Sequence, residues 1–234
     1  MRDYYGFYYP KRKPIDVEKE LAKLRKKNPY IEPVQIEGRK ISVTWWGIAW
    51  NENLESYADF ASRIGRGRTY VRGGKVLDLQ ISPGLVLASV IGQKLYQTEI
   101  RIKPLAQDKW DNIVAAAGRR IDSLEELAEG RFPQALAELF TRQEQGLFPS
   151  PNEIRFSCSC PDWAVMCKHV AAVLYGIGNR LDSDPTLFFT LRDIDFAQLL
   201  KKSLEEKLTN MLENADNKTN RVIENADIAK LFGV

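Results

Sequence analysis

The sequence predicts an α+β fold, with strands concentrated in residues 41–104 and helices in the residues that follow. Two patterns support this division. Apolar and polar residues alternate between Gly and Pro turns in the first region, as in half-buried antiparallel strands. In the second, apolar residues recur every three or four positions, as on one face of a helix. We divide the chain into a leader (1–40), an α+β domain (41–148), a cysteine-rich unit (149–195) and a C-terminal helical segment (196–234).

The leader combines aromatic and basic residues. A basic run at 10–14 follows five aromatic residues: Tyr4, Tyr5, Phe7, Tyr8 and Tyr9. One interpretation is an arm that binds nucleic acid through charge and stacking. We favour the alternative, a loose leader whose tyrosines lie on the domain, because chain termini are often poorly ordered. A helix is expected to follow, capped by Asp16, with Val17 and Leu21 on one face.

Residues 41–104 are expected to form an antiparallel meander of four or five strands. Gly73-Gly74 is typical of a tight hairpin turn, and Pro83-Gly84 predicts a second turn. A short helical pattern at 53–64 interrupts the strands. The segments with strand patterns are 41–45, 70–72, 75–81, 85–91 and 95–102.

Five basic residues lie among small residues in this region: Arg63, Arg66, Arg68, Arg72 and Lys75. Residues 1–104 carry 19 Lys and Arg against 11 Asp and Glu, whereas the rest of the chain carries 15 against 20. One interpretation is a nucleic-acid-binding surface, since small neighbours let guanidinium groups approach phosphates. The alternative is a charged hairpin edge that only prevents aggregation. The residues alone leave both open.

Residues 105–148 carry helical stripes that are typical of core packing rather than of a cofactor site. Trp110 and Ile113 share a face, and a capping-box pattern begins at Ser123. Prolines at 149 and 151 then mark a turn that leads into the cysteine-rich unit. Two acidic pairs further on, at 182–184 and 193–195, are interpreted as helix caps rather than as catalytic carboxylates.

All three cysteines and the only histidine lie within twelve residues, at Cys158, Cys160, Cys167 and His169. Four such ligands complete the tetrahedral coordination of one Zn²⁺. An extended run ending at Cys158 and a helix beginning near Lys168 would present them as two pairs. The sequence therefore predicts a zinc-clasped strand-turn-helix after the meander, with its helix stopped by glycines at 176 and 178.

Zinc suits this cluster better than a disulfide, a catalytic dyad or an iron–sulfur cluster does. A disulfide is disfavoured because the cysteine count is odd and no export signal is evident. A nucleophilic Cys167–His169 dyad lacks a third orienting group. An iron–sulfur cluster, or free cysteines beside an unrelated histidine, agrees less well with the compact pairs. Because a fourth ligand closes the coordination shell, we expect structural zinc and no enzymatic activity.

The order Cys-x-Cys, a gap, then Cys-x-His resembles the SWIM-type zinc finger, and so do Pro161, Asp162, Trp163 and the run at 168–172. A second stretch, from Trp45-Trp46-Gly47 to Gly73, resembles the upstream region of bacterial SWIM zinc finger proteins. The resemblance implies zinc ligation by the four residues named above, together with DNA binding or protein interaction. It also implies a SNF2-type helicase as companion, favours the nucleic-acid interpretation of the basic cluster, and assigns no catalytic residues.

The composition is that of a soluble globular protein, with 44% hydrophobic and 28% charged residues. No apolar run approaches the ~20 residues that a membrane span needs, and we expect a cytoplasmic protein. The expected function is that of a zinc protein which binds DNA with low sequence specificity or assists a SNF2-type helicase. The alternative is an adaptor that binds a protein partner without touching DNA. A metal-dependent enzyme is less favoured.

Overall fold

The computed structural model describes residues 15–59, 61–117 and 145–197, together with nine isolated positions (137, 140, 141, 201, 205, 208, 209, 211 and 212). The helices are α1 (Val17–Lys27), α2 (Trp45–Glu55), α3 (Ala61–Arg72), α4 (Gln107–Ala117), α5 (Lys168–Ser183) and α6 (Leu187–Leu191). The strands are β1 (Val76–Ser82), β2 (Leu85–Ile91), β3 (Leu95–Ile102) and β4 (Ile154–Cys158). Predictions for the aromatic leader, for the capping box at Ser123 and for the amphipathic end after 220 fall outside the described residues.

The strands form one antiparallel sheet in the order β1-β2-β3-β4, which confirms the α+β class. The Pro83-Gly84 turn joins β1 to β2 as predicted, with Gly84 at φ +64°. The strand that leads to the cysteines lies beside β3, where Cys158 is opposite Thr98. The sheet therefore runs across the predicted boundary between residues 148 and 149.

The prediction of strands at 41–45 and 70–72 is wrong. Trp45 begins α2, because the hydroxyl of Thr44 accepts a hydrogen bond from the backbone N–H of Gly47 at 3.1 Å and caps the helix. Residues 70–72 form the last turn of α3. Gly73 and Gly74 end that helix instead of turning a hairpin, with Gly74 at φ +62°. A glycine with positive φ serves either purpose, so the local sequence did not distinguish them.

The core surrounds α5, which contacts α2, α3 and all four strands. Gly176 and Gly178 do not stop this helix, contrary to the prediction, but let its neighbours approach. A Cβ at Gly178 would overlap Oδ1 of Asn51 on α2. On the facing helix α3, a Cβ at Gly67 would lie 2.5 Å from Cβ of Ala171. These glycines therefore set how closely α2, α3 and α5 pack.

The C-terminal end of α5 is tied to the beginning of α2. The carboxylate of Asp182 accepts hydrogen bonds from the backbone N–H groups of Val43, at 2.8 Å, and Thr44, at 3.2 Å, and from the Thr44 hydroxyl. The indole of Trp46 donates to the carbonyl of Leu181 at 2.7 Å. Asp182 does not cap a helix that begins there, contrary to the expectation; it lies in the last turn of α5, and its carboxylate fixes the backbone just before α2, whose N-cap is Thr44. Throughout the described ranges, the helices lack the length and apolarity needed to cross a membrane.

Candidate metal centre

The four predicted ligands meet where the sheet edge reaches the start of α5. Cys158 ends β4, Cys160 lies in the turn that follows, Cys167 is the N-cap of α5 and His169 lies in its first turn. Their ligand atoms all lie within 4.8 Å of one another. One pair of ligands comes from the end of β4 and its turn and the other from the start of α5, and four such ligands suit a tetrahedral ion.

The imidazole shows that these residues fit a metal ion. Nδ1 of His169 lies 3.8 Å from Sγ of Cys158 and 3.8 Å from Sγ of Cys167. Tetrahedral bonds of ~2.3 Å to sulfur and ~2.0 Å to nitrogen would separate these atoms by about 3.5 Å. His169 is only 1% exposed. Nδ1 therefore points at the common centre of the thiols and is the nitrogen that would bind the ion.

The three thiols interact so closely that their pKa values move apart. A hydrogen bond with Cys167 lowers the pKa of Cys158 to about 3, although burial opposes that shift. The same contact, together with burial, raises the pKa of Cys167, and burial raises the pKa of Cys160. All three groups can be thiolates together only beside a cation that compensates their charge, and a divalent metal ion would supply it.

Two tyrosines and a glycine hold the imidazole in place. The ring of Tyr96 lies against His169 with centroids 4.4 Å apart, and Tyr70 approaches edge-on at 5.4 Å. Gly92, in the β2–β3 turn, faces Nε2 of the imidazole, and a Cβ there would lie 2.9 Å from that nitrogen. Among the described residues, none offers Nε2 a hydrogen bond. The orientation of His169 thus rests on packing.

We expect Gly92→Ala to weaken metal binding about tenfold to a hundredfold, the range seen when groups that orient a ligand are altered. The added methyl group would displace the imidazole or the Tyr96 ring, because both lie 2.9 Å from its position. Competition for Zn²⁺ with a chromophoric chelator measures the change. Gly65→Ala is the matched control, since that site on α3 has open space around it. Equal affinities for the two variants would contradict the prediction.

The loop between Cys160 and Cys167 is fixed by two carboxylates. Asp59 accepts hydrogen bonds from the backbone N–H groups of Val165, at 2.9 Å, and Met166, at 3.3 Å. Asp162 accepts one from the guanidinium of Arg63 at 3.1 Å. Sequence reasoning missed Asp59 and Gly92 because each acts on residues far away in the chain, and neither belongs to a motif.

The five residues of the predicted basic cluster lie on or just after α3 and have different surroundings. Arg63 pairs with Asp162, as described above. Arg68 pairs with Glu55 at 2.5 Å and donates to the hydroxyl of Tyr175 at 2.8 Å. Arg66 and Arg72 are exposed, and Nζ of Lys75 lies 4.3 Å from the centroid of the Tyr70 ring. The cluster is therefore on a helix rather than on a hairpin edge.

Comparison with known families agrees with this geometry. The family model for the SWIM zinc finger matches residues 156–176. Residues 156–176 therefore form a SWIM zinc finger, as the resemblance implied. The match covers the last three residues of β4, the metal loop and the first half of α5. It does not reach the upstream stretch from Trp45 to Gly73, whose resemblance to bacterial SWIM proteins stays a prediction.

A relative with a similar sequence is the uncharacterized protein Rv2102 of Mycobacterium tuberculosis. The two are 32% identical over 163 residues, which cover 68% of this chain and 58% of that protein. The chain thus spans less than two thirds of the length of this relative. No solved structure matches the chain.

Proposed function

We propose that this protein binds nucleic acid and that one zinc ion fixes the binding surface without taking part in a reaction. Three cysteine thiolates and one imidazole are ligands that Zn²⁺ favours. Four protein ligands fill a tetrahedral shell, which leaves no position for a substrate or an activated water. The ion would join the sheet edge to α5 and so hold the neighbouring side chains in position.

The observation that carries this proposal is the group of cations beside the metal centre. Nζ of Lys75 and Nζ of Lys168 lie 4.3 and 5.9 Å from the centroid of the Tyr70 ring, and Tyr70 itself contacts His169. Arg66 lies one turn before Tyr70 on α3 and is exposed. Cations in such an arrangement can reach successive phosphates of a nucleic acid backbone.

The paired arginines have a different role in this proposal. Arg63 and Arg68 each face a carboxylate, so they position the metal loop and α5 rather than supply free charge. The phosphate-binding set is therefore Arg66, Arg72, Lys75 and Lys168. Lys168 was absent from the predicted cluster because it lies about 100 residues further along the chain.

We expect the double change Arg66→Ala with Arg72→Ala to weaken binding to DNA and to reduce its salt dependence. Each phosphate contact contributes about −0.9 to the slope of log affinity against log salt on a duplex, so two lost contacts should lower its magnitude by nearly two. Titrations at several salt concentrations measure the slope. Arg101→Ala is the control, because Arg101 is exposed on β3 but pairs with Glu99 at 2.5 Å. Absent or salt-insensitive binding by the natural protein would remove the proposal.

A protein partner is the second candidate, and exposed apolar residues favour it. Leu208, Met211 and Leu212 are spaced as on one helix face, and each is at least 60% exposed. Such a face is suited to docking on another protein, and a SNF2-type ATPase is the partner that the family resemblance implies. Capture of a purified SNF2-type ATPase in the absence of nucleic acid would support this candidate. Failure of that capture would count against it.

A further inference from the structure

A groove of about 370 Å³ lies directly beside the metal centre. It is lined by residues 160–162 of the metal loop and by the side chains of Arg63, Tyr70, Gln93, Tyr96, Trp163 and Lys168. Its volume falls within the range of sites that hold small organic groups. Tyr70 and Tyr96 also pack on the metal ligand His169, but neither the metal ligands nor the phosphate-binding set described above accounts for Trp163.

Trp163 presents the most accessible ring in the groove. Trp163 is 78% exposed, whereas Tyr96 is 5% exposed and Tyr70 is half-buried. A large aromatic ring exposed at a concave site next to cations is well placed to stack on a planar ligand. The tyrosines form the inner wall, where they also pack against His169.

The chain around Trp163 is fixed before any ligand arrives. On one side, Asp162 accepts hydrogen bonds from Arg63, at 3.1 Å, and from the backbone N–H of Ala164, at 3.3 Å. On the other side, Asp59 holds the backbone of Val165 and Met166, and the Met166 side chain is buried in the core. Such preorganisation lowers the entropy cost of binding.

The charges around the groove suit an anionic ligand. Lys75 and Lys168 flank the Tyr70 ring, and Nζ of Lys94 lies 5.7 Å from the centroid of the Tyr96 ring. The carboxylate in the groove wall, Asp162, is already paired with Arg63. A planar ring surface bordered by ammonium groups matches a nucleobase whose sugar carries phosphates on either side.

We propose that this groove binds an unpaired base of a single-stranded nucleic acid, stacked on Trp163, while Lys168 and Arg66 contact the adjacent phosphates. This inference rests on the proposed function and specifies the form of the nucleic acid. In a duplex, both faces of each base are covered by neighbouring bases and cannot reach the indole. A single strand exposes them, so the groove favours single strands over duplexes.

Binding of fluorescent oligonucleotides to the full, zinc-loaded chain tests the inference. The ligands are a 12-nucleotide oligo(dT), an oligo(U) of equal length and a 12-base-pair DNA duplex. We expect Trp163→Ala to weaken single-strand binding about tenfold to a hundredfold and to leave duplex binding unchanged. Val165→Ala is the matched control, because Val165 is 71% exposed on the same loop but does not line the groove. Comparison of oligo(dT) with oligo(U) shows whether the strand is DNA or RNA.

Several outcomes would overturn the inference without affecting the proposed function. These are salt-dependent binding that Trp163→Ala leaves unchanged, an equal loss on duplex and single strand, and an equal loss in Val165→Ala. Competition by free dTMP as strong as that by oligo(dT) would assign the groove to a mononucleotide and also overturn it. If none of the nucleic acids binds the natural protein at low salt, the proposed function itself fails. The zinc content and melting temperature of both variants verify that each is folded.

Discussion

Cys167→Ser should abolish tight zinc binding and unfold the region organised by α5. Cys167 is buried and caps this helix, and residues 169–178 of the helix are all buried. Structural zinc contributes roughly 10–16 kcal/mol of apparent binding free energy at pH 7, which is comparable with the ~5–15 kcal/mol that stabilises a whole domain. Serine is a poor zinc ligand, so most of this contribution would be lost. Chelation of the natural protein should have the same effect.

Zinc content by mass spectrometry and helix content by circular dichroism measure this prediction. One ion per chain is expected in the natural protein and far less than one in the variant. Ser159→Ala is a suitable control, because Ser159 lies between two ligands and its hydroxyl accepts a hydrogen bond from the backbone N–H of Gln97 at 3.0 Å, away from the cluster of ligand atoms. A serine variant that retained a full complement of zinc and its helix content would contradict the assignment of Cys167 as a ligand.

Trp50→Ala should cost about 3–5 kcal/mol of unfolding free energy, the range for truncating a fully buried large aromatic residue. Trp50 is 1% exposed, and its ring meets Phe148 and Phe188 edge-on at centroid distances of 6.0 and 5.9 Å. Its indole also donates a hydrogen bond to the carbonyl of Leu174 on α5 at 3.1 Å. The loss would leave a cavity and remove this hydrogen bond between α2 and α5.

Urea denaturation of the natural protein and of the Trp50→Ala variant measures this cost. Trp163→Ala provides the comparison within the same chain, since removal of an exposed tryptophan should change stability by no more than about 0.5 kcal/mol. Similar midpoints for the two variants would show that α2 does not contribute to the main core. A shift confined to Trp50→Ala confirms that it does.

The metal centre could be predicted from the sequence because its signal is local. The four ligands lie within twelve residues, and their residue types and pairing indicate zinc before any tertiary contact is known. The strands at 85–91 and 95–102 were also predicted correctly, since alternation between turn residues is a local pattern. The family match at residues 156–176 follows the same local pattern.

The errors arose where distant residues decide the structure. Gly176 and Gly178 look like a stop signal, but they lie inside α5 because Val34 and Asn51 approach the helix there. Trp45 ends a run in which polar and apolar residues alternate, as in a strand. It begins a helix instead, because Thr44 caps α2 and the distant carboxylate of Asp182 holds Thr44 in place. Such contacts span more than 120 residues and leave no periodic trace in the sequence.

The basic cluster shows the same limit at the candidate nucleic-acid surface. Its five members are equally charged in the sequence, but the structure pairs Arg63 and Arg68 with carboxylates. It also adds Lys168, from the start of α5, to the cations around Tyr70. The sequence identifies which residues carry charge, whereas the folded chain decides which charges have a neutralising partner.

The position of α5 late in the chain has a consequence for biosynthesis. Translation produces α2, α3 and the first three strands well before residue 168, so they leave the ribosome without the helix that covers their apolar sides. Two ligands, Cys167 and His169, emerge at the beginning of that same helix. Capture of a zinc ion would therefore coincide with burial of the earlier segments in one late event, and zinc supply at that moment would influence how much nascent chain escapes aggregation.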